Sequence, residues 1–171
     1  MVEEPDGFAR WAGESSRALL QTGWLLTGDW SLAQDLVQTA LAKTWPKWKS
    51  LSTPEAGLAY VRRVMFTTFL AWRGRRWVGE IPTAELPARA AGADPYAQAD
   101  LADLLRSALR TLPAKQRAVM VLRYFLDLSE AATAQTMGCS IATVKTHNAR
   151  ALSALRQLSE LRDFVPKEMN G

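Results

Sequence analysis

Apolar residues recur along this chain at the three- and four-residue steps of one helix face, with no alternating apolar/polar run that would argue for a strand. Residues 8–26 place Trp11, Ser15, Ala18, Leu19 and Leu26 at helical spacings before Thr27-Gly28-Asp29 breaks the pattern. A second helix follows from Ser31 to Trp45, with Ala33, Leu36, Val37, Ala40, Leu41 and Trp45 as its apolar stripe and Pro46 as its stop. Its other face carries Gln34, Asp35, Gln38 and Lys43. After a loop over 49–53, Thr53 as cap, Pro54 in the first turn and Glu55 near the positive helix end predict a third helix reaching about Trp77. Gly57 and Gly74 weaken its two ends.

The pattern lapses over 79–94, where Pro82, Pro87 and Gly92 interrupt any apolar period, and Pro95 follows. This stretch reads as a flexible linker; fully extended, residues 78–98 span about 70 Å, so the two halves need not touch. Beyond it, Leu101, Leu104, Leu105, Ala108 and Leu109 share one helix face. Pro113 opens another helix, whose Val119, Leu122, Phe125 and Leu126 are expected in the same small core. The fold expected is all-α, with two small helical domains: 1–78, a linker 79–97, and 98–171.

The last helical stretch, 128–158, has helix-turn-helix grammar. Ser129 can cap a short helix, Gly138 can take the left-handed turn that ends it, and Ser140 can cap a longer second helix. Small Ala134 and β-branched Val144 suit close packing of two helices at a steep angle. If Val144 faces inward, Ile141, Asn148, Ala151, Leu152 and Leu155 share its side. Ala142, Thr146, Ala149, Arg150, Ser153 and Gln157 then face outward, a small, hydroxylic and basic face able to enter a major groove. An ordinary αα-hairpin is the alternative for this stretch taken alone.

Charge and chemistry sharpen this picture. The 171 residues carry a formal charge of +4, mildly favouring polyanionic partners. All seven tryptophans precede residue 78, and from Lys43 to Trp77 eight basic residues face the single acid Glu55. Arg62, Arg63, Arg73, Arg75 and Arg76 could contact phosphates, while Tyr60, Trp72 and Trp77 offer π-faces to unstacked bases, worth about 1–3 kcal/mol per base. Residue by residue, core packing and solvated arginines explain the same helix. One cysteine and one histidine are too few for a disulfide framework or a cysteine/histidine zinc site. Cys139 is expected to pack as a small apolar residue. No glycine-rich phosphate loop and no nucleophile with a suitable base appear, so no catalytic residue, metal or cofactor is assigned. With no apolar run near the ~20 residues of a membrane span and an acidic start, a cytoplasmic protein without membrane insertion is expected.

Several motifs in series resemble the extracytoplasmic-function sigma factors of the bacterial sigma-70 family, most closely their actinobacterial SigE group, over roughly 8–158. They are Ala33-Gln34-Asp35-Leu36-Val37-Gln38 with Trp45, Tyr60-Val61-Arg62-Arg63 through Trp72-Arg73-Gly74-Arg75-Arg76, Leu112-Pro113 with Gln116-Arg117, and 138–145 with Ala149-Arg150-Ala151-Leu152. The resemblance implies that Asp35, Leu36, Gln38 and Leu41 hold core RNA polymerase at the clamp coiled coil of its largest subunit, with the flap region as a second contact. It implies a minus-10 promoter surface of Tyr60, Arg62, Arg63, Thr67, Trp72, Arg73, Arg75 and Arg76, the base pocket being completed by the loop over 50–53. It implies minus-35 contacts from Lys145, Thr146 and Arg150, flanked by Thr143 and His147, reading guanine edges or gripping phosphate. Partners implied are core polymerase, promoter DNA as duplex and melted strand, and an anti-sigma factor. Thr67 stands where many relatives carry asparagine, Thr133 and Thr136 where aliphatic residues are common, and Ala149 where some relatives have a larger side chain. The rivals are a stand-alone helix-turn-helix regulator, which would bind duplex operator by itself, and a polymerase-binding protein without promoter specificity.

Overall fold

Capping chemistry sets where the helices begin and end. In the computed structural model, which describes residues 7–76 and 97–158, α1 spans Phe8–Thr27 and stops where Gly28 turns left-handed at φ 69°. The Asp29 side chain then accepts the Leu32 amide at 2.9 Å and starts α2, Trp30–Thr44. Pro46 does not end the helical path as expected. It lies in the first turn of a 3₁₀ helix, Trp45–Ser50, where a missing N–H leaves no bond unmade. Thr53 caps α3, Pro54–Arg76, by accepting the Ala56 amide at 3.1 Å.

The second half contains α4 (Ala97–Arg110), α5 (Ala114–Met120) continued by a π-helical turn over Val121–Phe125, α6 (Glu130–Met137) and α7 (Ile141–Gln157). Among the described residues there is no strand. Residues 79–96 of the expected linker lie outside the described residues, as do Trp77 and the side chains of Arg75, Arg76 and Leu101.

Leu19 and Leu26 of α1, Ala33, Leu36, Val37 and Ala40 of α2, and Val61, Met65, Phe66 and Phe69 of α3 fill the first half's interior. The stripe expected on α2 is therefore the buried one, while Ala18, placed with the apolar face of α1, is exposed. Tryptophans of this half act largely as packing. Trp11 and Trp48 lie 4.6 Å apart between ring centres, with Phe8 against both, and Trp24 stacks on Trp30 at 5.0 Å. Gly57 permits the first cluster, because a Cβ there would stand 2.7 Å from the Trp48 ring.

The halves do touch. Ala108, Leu109, Leu112, Ala118, Val121, Leu122 and Leu152 join the same continuous core as the first half's residues, and α3 packs against α5 and α6. Arg117 bridges the halves. Its guanidinium donates to the Leu26 carbonyl at 2.6 Å and to the carbonyls of Leu109, Arg110 and Leu112 at 2.8–3.0 Å, thereby closing the C-terminal ends of both α1 and α4. Arg106 adds a second bridge by lying 4.0 Å over the Trp24 ring.

Candidate nucleic-acid and polymerase interface

The helix-turn-helix is built as its sequence predicts. Ser129 accepts the Ala132 amide at 3.0 Å, Gly138 turns at φ 67°, and Ser140 accepts the Thr143 amide at 3.1 Å. Val144, Ala151, Leu152 and Leu155 are buried, Asn148 is half-buried, and Ala142, Thr146, Ala149, Arg150, Ser153 and Gln157 are exposed. Ile141, expected inside, is exposed, because it stands at the first position of α7 beyond the reach of α6's packing face. Cys139 is half-buried and packs against the Val119–Ala134–Val144 cluster.

On the outward face Arg150 and Thr146 are exposed, and Lys145 pairs loosely with Glu130 at 3.8 Å while remaining largely in solvent. Thr143 is half-buried, its hydroxyl shared with that of Ser140 at 2.9 Å. The Thr146 hydroxyl donates to the Ala142 carbonyl, leaving its lone pairs to accept from a ligand. His147 is half-buried with Nδ1 unpartnered; burial, then Lys115 and Arg150, lowers its pKa and favours the neutral ring.

On α3, Arg63 and Thr67 are exposed one turn apart, whereas Tyr60, Arg62, Trp72 and Arg73 are half-buried. Thr67 spends its hydroxyl proton on the helix, donating toward the carbonyls of Arg63 and Val64, so toward a base it acts as an acceptor. Burial lowers the Arg62 pKa. Trp72 packs against the common core and Arg73 lies 5.7 Å over the Phe69 ring, so neither presents a fully open face in this arrangement.

On α2, Asp35 and Gln38 are exposed with half-buried Leu41 beside them. Leu36 must be corrected. Its side chain is 0% exposed, so it supports the helix from within and cannot itself meet a partner. Phe125 departs the other way, at 42% exposed. A π turn holds more residues than an α turn, so helical spacing no longer returns this ring to the buried face. The junction also gathers Arg110, Lys115 and Arg117 near Arg73 and His147, a grouping that sequence spacing did not reveal because its members come from different elements.

A helix-turn-helix with an exposed basic face, continuous with a second helical half bearing arginines along α3, defines a two-part DNA-binding protein. Residues 102–155 match the family model for sigma-70, region 4. The chain is 42% identical over 147 residues to an RNA polymerase sigma-E factor of Streptomyces antibioticus, covering 86% of this chain and 81% of that one. It is 40% identical to the sigma-E factor of Streptomyces coelicolor, with 86% and 82% covered. Among solved structures, the sigma factor RpoE of Bartonella quintana, in complex with the anti-sigma factor NepR, superposes with a TM-score of 0.67 at 25% identity, covering 95% of this chain and 100% of that one. CnrH in complex with the cytosolic domain of CnrY shares the fold, with a TM-score of 0.59 at 22% identity over 91% and 87% of the two chains. The chain belongs to the extracytoplasmic-function branch of the sigma-70 family. It is a sigma factor, which binds core RNA polymerase and directs it to promoters for transcription initiation.

Proposed function

We propose that residues 1–78 take core polymerase and the minus-10 element, residues 98–171 take the minus-35 element, and 79–97 join them. Asp35 and Gln38, with Leu41, meet the clamp coiled coil, where a carboxylate and an amide satisfy basic and polar partners around an apolar contact. The second half meets the flap region. Tyr60, Arg62, Arg63, Thr67, Trp72, Arg73, Arg75 and Arg76 receive the opening minus-10 segment. Lys145, Thr146 and Arg150, flanked by Thr143 and His147, meet the minus-35 duplex. The observation that carries this reading is the exposed face of α7, in a helix-turn-helix whose two helices are each capped by a serine, on a chain so similar to sigma-E factors.

Because α3 packs on α5 and α6, the two promoter surfaces share a junction, and the halves separate to engage DNA. The protein performs no chemical step and needs no cofactor in this reading; it works in the cytoplasm, where polymerase is. Among the described residues no helix is long and apolar enough to cross a membrane. RpoE is seen with the anti-sigma factor NepR, and an anti-sigma protein is proposed as a further partner here.

Run-off transcription on genomic DNA with core polymerase tests the reading. Promoter-specific transcripts should require both proteins; tight duplex binding by the chain alone, with no such transcripts, would favour a stand-alone regulator. Replacing Asp35 and Gln38 by alanine should weaken core binding about tenfold, roughly 1.4 kcal/mol, and leave DNA contacts intact. Undiminished assembly would remove the clamp assignment. Arg150→Ala should cost on the order of 1–3 kcal/mol at a specific minus-35 base pair, whereas a uniform loss on all sequences would mark a phosphate contact.

A further inference from the structure

The first turn of α7 holds a large apolar side chain in solvent. Ile141 is 44% exposed and lies outside the apolar clusters of the described residues, and Ala142 beside it is exposed as well. A lone exposed isoleucine is ordinary on a protein surface. Its position in the helix-turn-helix decides what it can do, because the second helix of this motif enters the major groove with its first residues against the base edges. Hydrogen-bonding capacity in this turn is largely taken up by the helix itself. The Ser140 oxygen accepts the Thr143 amide at 3.1 Å and shares a hydrogen bond with the Thr143 hydroxyl at 2.9 Å. Thr146 donates its proton to the Ala142 carbonyl at 3.0 Å. No amide, carboxylate or cationic side chain stands between Ser140 and Val144. The basic groups come later: the Lys145 side chain, one turn past Ile141, is 63% exposed, and Arg150 is exposed nine residues on, half a revolution round the helix.

We propose that Ile141 is a specificity-determining residue that reads a thymine of the minus-35 duplex through its C5 methyl group. Among the groups that base pairs present in the major groove, the thymine methyl is the apolar one, and the distinguishing groups of the other bases are hydrogen-bond donors and acceptors. A guanine or adenine edge placed against Ile141 loses water and gains no partner, which is unfavourable. A thymine in the same place removes two apolar surfaces from water at once. Ala142 permits the approach, since a side chain of one methyl does not hold the helix away from the groove. Lys145 and Arg150 grip phosphate or guanine to either side, so the isoleucine adds discrimination rather than charge. The inference rests on the minus-35 reading of α7 above and names one base contact within it.

Holoenzyme assembled from the full chain and core polymerase tests this on the promoters that genomic run-off maps. Each thymine of the minus-35 segment, on either strand, is replaced singly by deoxyuridine, which removes the C5 methyl and leaves every hydrogen-bonding group in place. One such replacement should weaken holoenzyme binding about fourfold, roughly 0.8 kcal/mol. Ile141→Ala should bind the thymine and uracil templates equally at that position. Ile141→Val, which keeps a branched apolar side chain, should retain most of the difference. Neither change touches the core, because Ile141 stands outside it. A segment without thymine on either strand, uracil tolerated at every position, or an undiminished thymine preference in Ile141→Ala overturns the inference and leaves promoter-specific run-off standing. Absence of promoter-specific run-off with the unaltered chain overturns the minus-35 reading and the inference with it.

Discussion

Arg117 is 4% exposed, and its guanidinium donates to four backbone carbonyls. Carbonyls at the ends of α1 and α4 offer partial negative charge that is fixed in place, so a planar fork of donors fits where a point charge would not. Arg117→Lys should therefore lower stability by about 3 kcal/mol, since one ammonium cannot satisfy four carbonyls spread around a plane. Urea unfolding measures this, and an unchanged midpoint would sink it. Arg117 stands beside Ala118-Val119-Met120 in the sequence, but its burial could not be read there because Leu26 lies 91 residues away. Thr67 is similar in kind: its identity was plain, but the direction of its hydroxyl was set by helix carbonyls.

Elements fared according to how local their causes are. The caps at Thr53, Ser129 and Ser140 and the left-handed Gly138 were legible because each depends on residues within one turn. Phe125 was misplaced because a π turn, not an α turn, follows α5, and Ile141 because helix spacing does not say where a partner helix ends. Thr133 of α6, a residue unusual at its position by the family resemblance, is fully buried with its hydroxyl oxygen unpartnered. Thr133→Val keeps the shape and removes the stranded hydroxyl, so it should raise stability by about 1 kcal/mol. Differential scanning calorimetry reads the effect; a lower midpoint would mean that the hydroxyl has a partner after all.

For the whole molecule, the junction joins a buried arginine, a cation–π contact and a shared apolar core to a cavity rich in positive charge. His147 sits at that cavity with Arg73, Arg110, Lys115 and Arg117, while Arg150 lies on its own helix. Its folded pKa lies below the usual 6.5, lowered by burial first and by Lys115 and Arg150 next. Between that lowered value and 6.5 the unfolded chain binds a proton that the folded chain does not, so stability should fall as pH drops through this window. His147→Gln should flatten that part of the stability profile, measured by denaturant midpoints from about pH 7.5 down to 5.5. Parallel profiles for the two proteins would show that other groups carry the dependence.

The amino-acid sequence by itself determined the all-helical class, the starts of α3, α6 and α7, the outward face of α7 and the sigma-factor motifs, because these follow from spacing and capping within a few residues. Only the tertiary structure decided that the halves share one core, that most of the described tryptophan rings pack against other rings or the core, that Leu36 is internal, and that five basic side chains face one cavity. Those outcomes depend on contacts between residues far apart in the chain, where burial and charge are set by which surfaces meet rather than by any local period.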